Sequence, residues 1–125
     1  MDILNIKGSA KTPSVLLNAE KGLIELKGRS IPENTIEFYN PIFKWLDAYA
    51  LMKEPKTTVN VQLEYFNTSS SKCITEIFKK LEEIARGGSD VIINWHYHPD
   101  DEDILTAGDD IKSLIKLPFN FIEIK

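Results

Sequence analysis

Two stretches of the chain alternate apolar and polar residues with a period of two. From Thr57 to Phe66, Val59, Val61, Leu63 and Tyr65 share one face, and Asn60, Gln62 and Glu64 the other. From Val91 to His98, Val91, Ile93, Trp95 and Tyr97 fall together. Both patterns predict half-buried strands. Between them, Ile74, Ile77, Phe78, Leu81, Ile84 and Ala85 recur at helical spacing, and Gly87-Gly88 ends the run. That predicts an amphipathic helix with a glycine stop. A second helix is predicted from about Asp101 to Lys116, with Ile104, Ala107, Ile111, Leu114 and Ile115 inward, and a strand from Phe119 to Ile124.

The first half is less regular. Ile3 to Lys7, Val15 to Asn18 and Leu23 to Lys27 read as short antiparallel strands, with turns at Gly8-Ser9, Asn18 to Gly22 and Gly28. Tyr39, Ile42, Phe43, Leu46 and Ala50 then follow helical spacing. Pro41 lies inside that pattern, where its ring opposes the carbonyl four residues earlier. The expectation is therefore a short helical turn near Pro32, then a main helix from about Asn40 to Lys53. Phe38, Trp45, Tyr49 and Met52 lie along one side of it, either as core or as interface anchors.

Strand, helix, strand, helix, strand in succession implies parallel crossovers. Each internal strand keeps one polar face, whereas strands covered on both sides read as continuous apolar runs. The expected fold is α/β, a mixed sheet with its helices packed mainly on one face. No linker, repeat or low-complexity tract divides the chain, so residues 1–125 read as one domain. A chain of this mass buries about two-thirds of its unfolded surface, which needs no disulfide or metal. No apolar run is long enough to span a bilayer, no signal-peptide pattern opens the sequence, and Cys73 has no disulfide partner. These features read as a soluble cytoplasmic protein.

Charge is informative by position. Residues 1–99 carry twelve acids and twelve bases, whereas residues 100–125 carry seven acids and three bases. The formal charge of −4 therefore sits in the last fifth of the chain. Such a distribution offers no footprint for nucleic acid or an anionic membrane.

The densest polar stretch is Asn67-Thr68-Ser69-Ser70-Ser71-Lys72, between a predicted strand end and a predicted helix start. One such residue suffices as an N-cap, and five exceed the need. A phosphate there would meet free N–H groups, the positive end of the helix dipole and Lys72. The stretch lacks the glycines of a Walker A loop. His96 and His98, two apart in a strand, share a face with Asn94 and can share a metal with Asp100 or Glu102. Two histidines on the polar face of an open sheet are the alternative. Asp100-Asp101-Glu102-Asp103 lacks the spacing of a calcium loop and suits a helix first turn, while Asp109 and Asp110 extend an acidic face for a basic partner. Nothing assembles a catalytic centre.

Several separated segments carry a resemblance. Gly28-Arg29-Ser30-Ile31-Pro32-Glu33-Asn34, Glu37-Phe38-Tyr39 and Tyr65-Phe66-Asn67-Thr68-Ser69-Ser70-Ser71-Lys72 resemble the SiaC family of bacterial biofilm-regulatory phosphoproteins. Asp100-Asp101-Glu102-Asp103, Gly108-Asp109 and Leu117-Pro118-Phe119 extend the likeness nearly to the C-terminus. The family is similar in fold to STAS domains, the anti-sigma-factor antagonists.

The resemblance implies a non-enzymatic partner switch without cofactors. Carried onto this chain, the phospho-acceptor is Thr68, modified by a Ser/Thr kinase and reset by a PP2C-type phosphatase. Asn67, Ser69, Ser70 and Lys72 would shape the partner and kinase surface. The unphosphorylated form would bind and activate a diguanylate cyclase, controlling cyclic di-GMP and biofilm growth. Two other readings stand beside it: an anti-sigma-factor antagonist with another output, and a metal-binding module using His96 and His98. His96-Tyr97-His98-Pro99 departs from the more aromatic or acidic stretch expected of the family.

Overall fold

The computed structural model describes residues 1–125. Nine elements follow in order: strands β1 (Leu4–Ile6), β2 (Ser14–Asn18) and β3 (Leu23–Ser30), helix α1 (Thr35–Met52), β4 (Lys56–Phe66), α2 (Thr68–Arg86), β5 (Asp90–Tyr97), α3 (Glu102–Leu114) and β6 (Phe119–Glu123). The strands form one six-stranded sheet in the order β1-β2-β3-β4-β5-β6. β1, β2 and β3 pair antiparallel, and β3 to β6 pair parallel. Each crossover moves one strand further in the same direction, so crossovers of the usual right hand put every helix on the same face. Burial agrees. Val59, Val61, Leu63, Val91, Ile93 and Trp95 are buried against the helices, whereas Asn60, Gln62, Asn94 and His96 remain partly open. The expected α/β architecture with one-sided helices is what the chain adopts. No helix is long and apolar enough to cross a membrane.

The core is continuous beneath α1 and α2. Tyr39, Ile42, Leu46 and Tyr49 of α1 and Ile74, Ile77, Phe78 and Leu81 of α2 are at most 1% exposed. Trp45 and Tyr49, which also suited an interface, are core residues stacked on one another at 4.9 Å. Trp45 further donates its indole N–H to the Asp2 carbonyl at 3.1 Å. Met52 is exposed and Phe38 half-buried.

Two expectations need correction. α1 is one continuous helix from Thr35, capped by Asn34, rather than a short turn followed by a helix from Asn40. Pro41 is accommodated because both it and Glu37, whose carbonyl it deprives of a donor, lie on the exposed side. Water can satisfy that carbonyl there. The second correction concerns Tyr65, expected with Val59, Val61 and Leu63. β3 pairs Gly28 with Leu63 and then Arg29 with Tyr65, leaving Glu64 as an extra residue in β4. A bulge of this kind reverses the alternation. Tyr65 consequently turns to the open face, 52% exposed, with the Arg29 guanidinium 6.0 Å from its ring centre.

Candidate functional site

The site is built where β3 and β4 end and α1 and α2 begin. Asn67 is the N-cap of α2, its side-chain oxygen accepting from the Ser70 N–H at 2.9 Å. That leaves Thr68 as the first helical residue rather than the cap. Thr68 is exposed, and no other group of the chain engages its hydroxyl, while the neighbouring hydroxyls of Ser69 and Ser70 are both engaged. The Ser69 hydroxyl lies 2.8 Å from that of Thr35 in the first turn of α1 and also donates to Asn67. The two helix starts are thereby joined at the surface.

Ser70 does not belong to the surface expected for it. It is fully buried, because its place in the first turn of α2 faces the sheet. Its hydroxyl donates to the Ser30 carbonyl at 2.9 Å and accepts from the Ser30 hydroxyl at 2.8 Å. A hydroxyl has one proton, so the 2.6 Å contact between Ser30 and Tyr39 must run from the tyrosine to the serine. The result is a directed chain, Tyr39 to Ser30 to Ser70 to the Ser30 carbonyl. That same carbonyl also accepts from the Asn67 N–H at 3.1 Å. Burial, partly opposed by the Ser30 hydrogen bond, pushes the Tyr39 phenol up to about 12, which keeps it a donor. Satisfied buried networks of this kind hold one arrangement. Here the network holds the end of β3, the second turn of α1 and the first turn of α2 together.

Next to Thr68 the surface becomes apolar. A groove of about 270 Å³ between α1 and α2 is lined by Thr35, Ile36, Phe43, Ser69, Lys72, Cys73 and Glu76. Ile36 is 66% exposed on its rim. Lys72 stands one helical turn after Thr68 on the same face. The first turn of α2 contains no acid, unlike those of α1 and α3, so its positive end is uncompensated. Cys73 is buried and burial pushes its thiol up, which disfavours the reactive thiolate.

The histidines are not brought together. His96 opens onto the exposed sheet face, beside Asn60, Gln62 and Asn94. His98 lies beyond the end of β5, beside Asp100 to Asp103. No group of three His, Cys, Asp or Glu side chains is placed to hold a metal. Asp101 instead caps α3, accepting from the Ile104 N–H at 3.0 Å, with Glu102 and Asp103 in the first turn.

Thr35, Ile36 and Tyr39 escape sequence reasoning as site residues, since nothing local marks the start of α1 as the neighbour of α2. The same is true of a polar ladder across the open face, where side-chain amides link Glu25, Asn60, Asn94 and Asn120 at 3.0–3.2 Å.

Comparison with known proteins agrees with this fold. An uncharacterized protein of Pseudomonas aeruginosa strain UCBPP-PA14 is 29% identical over 119 residues, covering 95% of this chain and 94% of that protein. The structure of SiaC of Pseudomonas aeruginosa superposes with a TM-score of 0.90 at 27% identity, covering 99% of this chain and all of the other. A chain in the crystal structure of diguanylate cyclase SiaD in complex with its activator SiaC, from the same organism, superposes at 0.91 and 27% identity, covering 97% of this chain and 99% of that one. The model of the SiaC family regulatory phosphoproteins matches residues 6–124, and the chain belongs to that family.

Proposed function

We propose that the chain is a non-enzymatic partner switch that binds and activates a diguanylate cyclase while Thr68 is unmodified, and that phosphorylation of Thr68 blocks the contact. A Ser/Thr kinase adds the phosphate and a PP2C-type phosphatase removes it. Family membership and the naming of SiaC as the activator of SiaD support the cyclase as output. The observation that most supports Thr68 is an exposed, unengaged hydroxyl at the start of α2 beside an apolar groove, where the Ser69 and Ser70 hydroxyls and the Asn67 amide are committed to structure and the Ser71 hydroxyl, also unengaged, is half-buried.

The physics of the switch is local. The groove with Ile36 and Phe43 offers apolar area to a partner, and Asn67, Ser69 and Lys72 form its polar margin. A phosphate at Thr68 brings about −1.5 to −2 charges to that margin. The α2 N–H groups and Lys72 stabilise it there in the free protein. Partner docking would strip water from it, so the modified form is favoured alone and disfavoured in the complex. Kinase treatment of the wild-type chain and Thr68→Ala, followed by mass spectrometry, tests the acceptor. One phosphate on the wild type and none on the variant is expected. Phosphate on Ser69 or Ser71, or undiminished uptake by Thr68→Ala, would overturn the assignment.

A further inference from the structure

The sheet ends at β6, whose inner edge is fully used. The Ile93 N–H donates to the Pro118 carbonyl at 3.0 Å, and the Ile124 N–H donates to the Tyr97 carbonyl at 2.8 Å. In a parallel pair, successive residues alternate between bonding the neighbour and facing away. Pro118, Asn120, Ile122 and Ile124 are thus the inward set. Phe119, Phe121 and Glu123 present their backbone N–H and C=O groups to the free edge.

Exposed edges are ordinarily guarded by shortness, lysine, proline or a bulge. β1, the opposite edge, is three residues long. β6 has five residues, pairs without a register shift, and contains neither lysine nor proline. Next to it, Leu105, Thr106 and Asp109 of α3 and Phe121 enclose about 450 Å³ of open groove. Leu105 is 37% exposed there. The groove therefore has an apolar floor with a carboxylate at its margin. α3 carries Glu102, Asp103, Asp109 and Asp110 against one base, Lys112, whose ammonium lies 5.5 Å from the centre of the Phe121 ring. Glu123 adds a further acid on the edge strand itself.

We propose that the free edge of β6 and the flank of α3 form a docking site for an extended basic segment of a partner protein, which adds as a further strand. Its backbone pairs with Phe119, Phe121 and Glu123. Side chains on the helix side alternate into the Leu105–Phe121 groove, and lysines or arginines meet Asp109 and its neighbours. Charge selects this occupant over a second copy, because two β6 edges would bring two acidic α3 helices together. The site shares no residue with the groove beside Thr68, so it stands apart from the switch.

A fluorescein-labelled heptapeptide Lys-Thr-Val-Thr-Lys-Thr-Val, whose lysines and valines share one face of an added strand, is the probe, titrated into the full chain by anisotropy with amide shifts followed by NMR. Shifts confined to β6 and α3 are expected. Raising salt from about 50 to 200 mM should weaken binding severalfold. Glu123→Pro removes an outward N–H without touching the bonds to β5 and should weaken binding by about tenfold or more. Asp109→Asn with Asp110→Asn should weaken it about three- to tenfold. Intact β5 amide signals verify the fold of Glu123→Pro. The same peptide N-methylated at alternate residues blocks the pairing from the other side, leaving the protein unaltered. Absent binding, equal binding of the peptide with glutamate in place of lysine, shifts elsewhere, or undiminished binding of the N-methylated peptide would each overturn the site.

Discussion

Gly108 lies in the interior of α3, where propensity alone favours alanine by about 1 kcal/mol. The structure reverses that sign. A Cβ at Gly108 would stand 2.5 Å from Nε1 of Trp95 and 2.7 Å from its Cδ1. Trp95 cannot yield easily. It is fully buried, packs against Phe78 and Phe119, and donates its indole N–H to the Ile104 carbonyl of the same helix at 3.0 Å. Forcing a methyl group into such a contact costs about 1–3 kcal/mol, and a displaced indole loses a hydrogen bond of about 1 kcal/mol as well. Set against the propensity gain, Gly108→Ala should destabilise by roughly 1–3 kcal/mol. At about 4 °C per kcal/mol for a chain of this size, Tm should fall by about 4–12 °C in calorimetry. Trp95→Phe in the same chain makes room for the methyl group, so the two changes together should cost less than their sum. An unchanged or raised Tm for Gly108→Ala would show that α3 does not rest on Trp95.

Three further outcomes follow from the hydroxyl network and the cap. Ser70→Ala orphans the Ser30 hydroxyl proton and removes a donor from the Ser30 carbonyl, and should cost about 1–3 kcal/mol in urea denaturation. A loss below half of that would place the network outside the stabilising core. Asn67→Ala should cost about 1 kcal/mol as a lost cap, whereas Thr68→Ala should stay within about 0.5 kcal/mol, because Thr68 caps nothing. Equal losses would reassign the cap. The folded protein holds the Tyr39 proton more tightly, with a pKa raised to about 12, than an unfolded chain near the ordinary 10. Its contribution, about 3 kcal/mol, is therefore complete below pH 10 and lost as pH rises through about 12. Denaturation series at pH 9 and 11.5 should show about two-thirds of that loss in the wild type and a smaller one in Tyr39→Phe.

Much of this architecture was legible because burial on one side leaves an alternation in the sequence. Asn60 and Gln62 between Val59, Val61 and Leu63 identify a strand and also a face without helices. Legibility failed where one residue changes the geometry. Glu64 is read as one more step of the alternation, yet as a bulge it sends Tyr65 to the opposite face. Pro41 reads as a break, and only its exposed position makes it tolerable. The candidate site was half legible. A run of cap-forming residues points to the start of α2, but the run cannot separate Thr68 from Ser70, because their difference lies in which side of the helix meets Ser30 and Tyr39. Thr35 and Ile36 reach the site only through the pairing of α1 with α2, a long-range contact that local pattern does not encode.

Cyclic di-GMP synthesis tests the role proposed for the Thr68 hydroxyl most directly. A purified diguanylate cyclase of the SiaD type is supplied with GTP and titrated with the unmodified chain, then with the chain phosphorylated stoichiometrically at Thr68. The unmodified chain should saturate the cyclase and raise its turnover, and Thr68→Ala should do the same before and after kinase treatment. The phosphorylated chain should require at least about tenfold more protein for the same turnover, the consequence of burying a doubly charged group at a docking margin. Equal activation by both forms, with phosphate verified on Thr68, would contradict a switch at that residue.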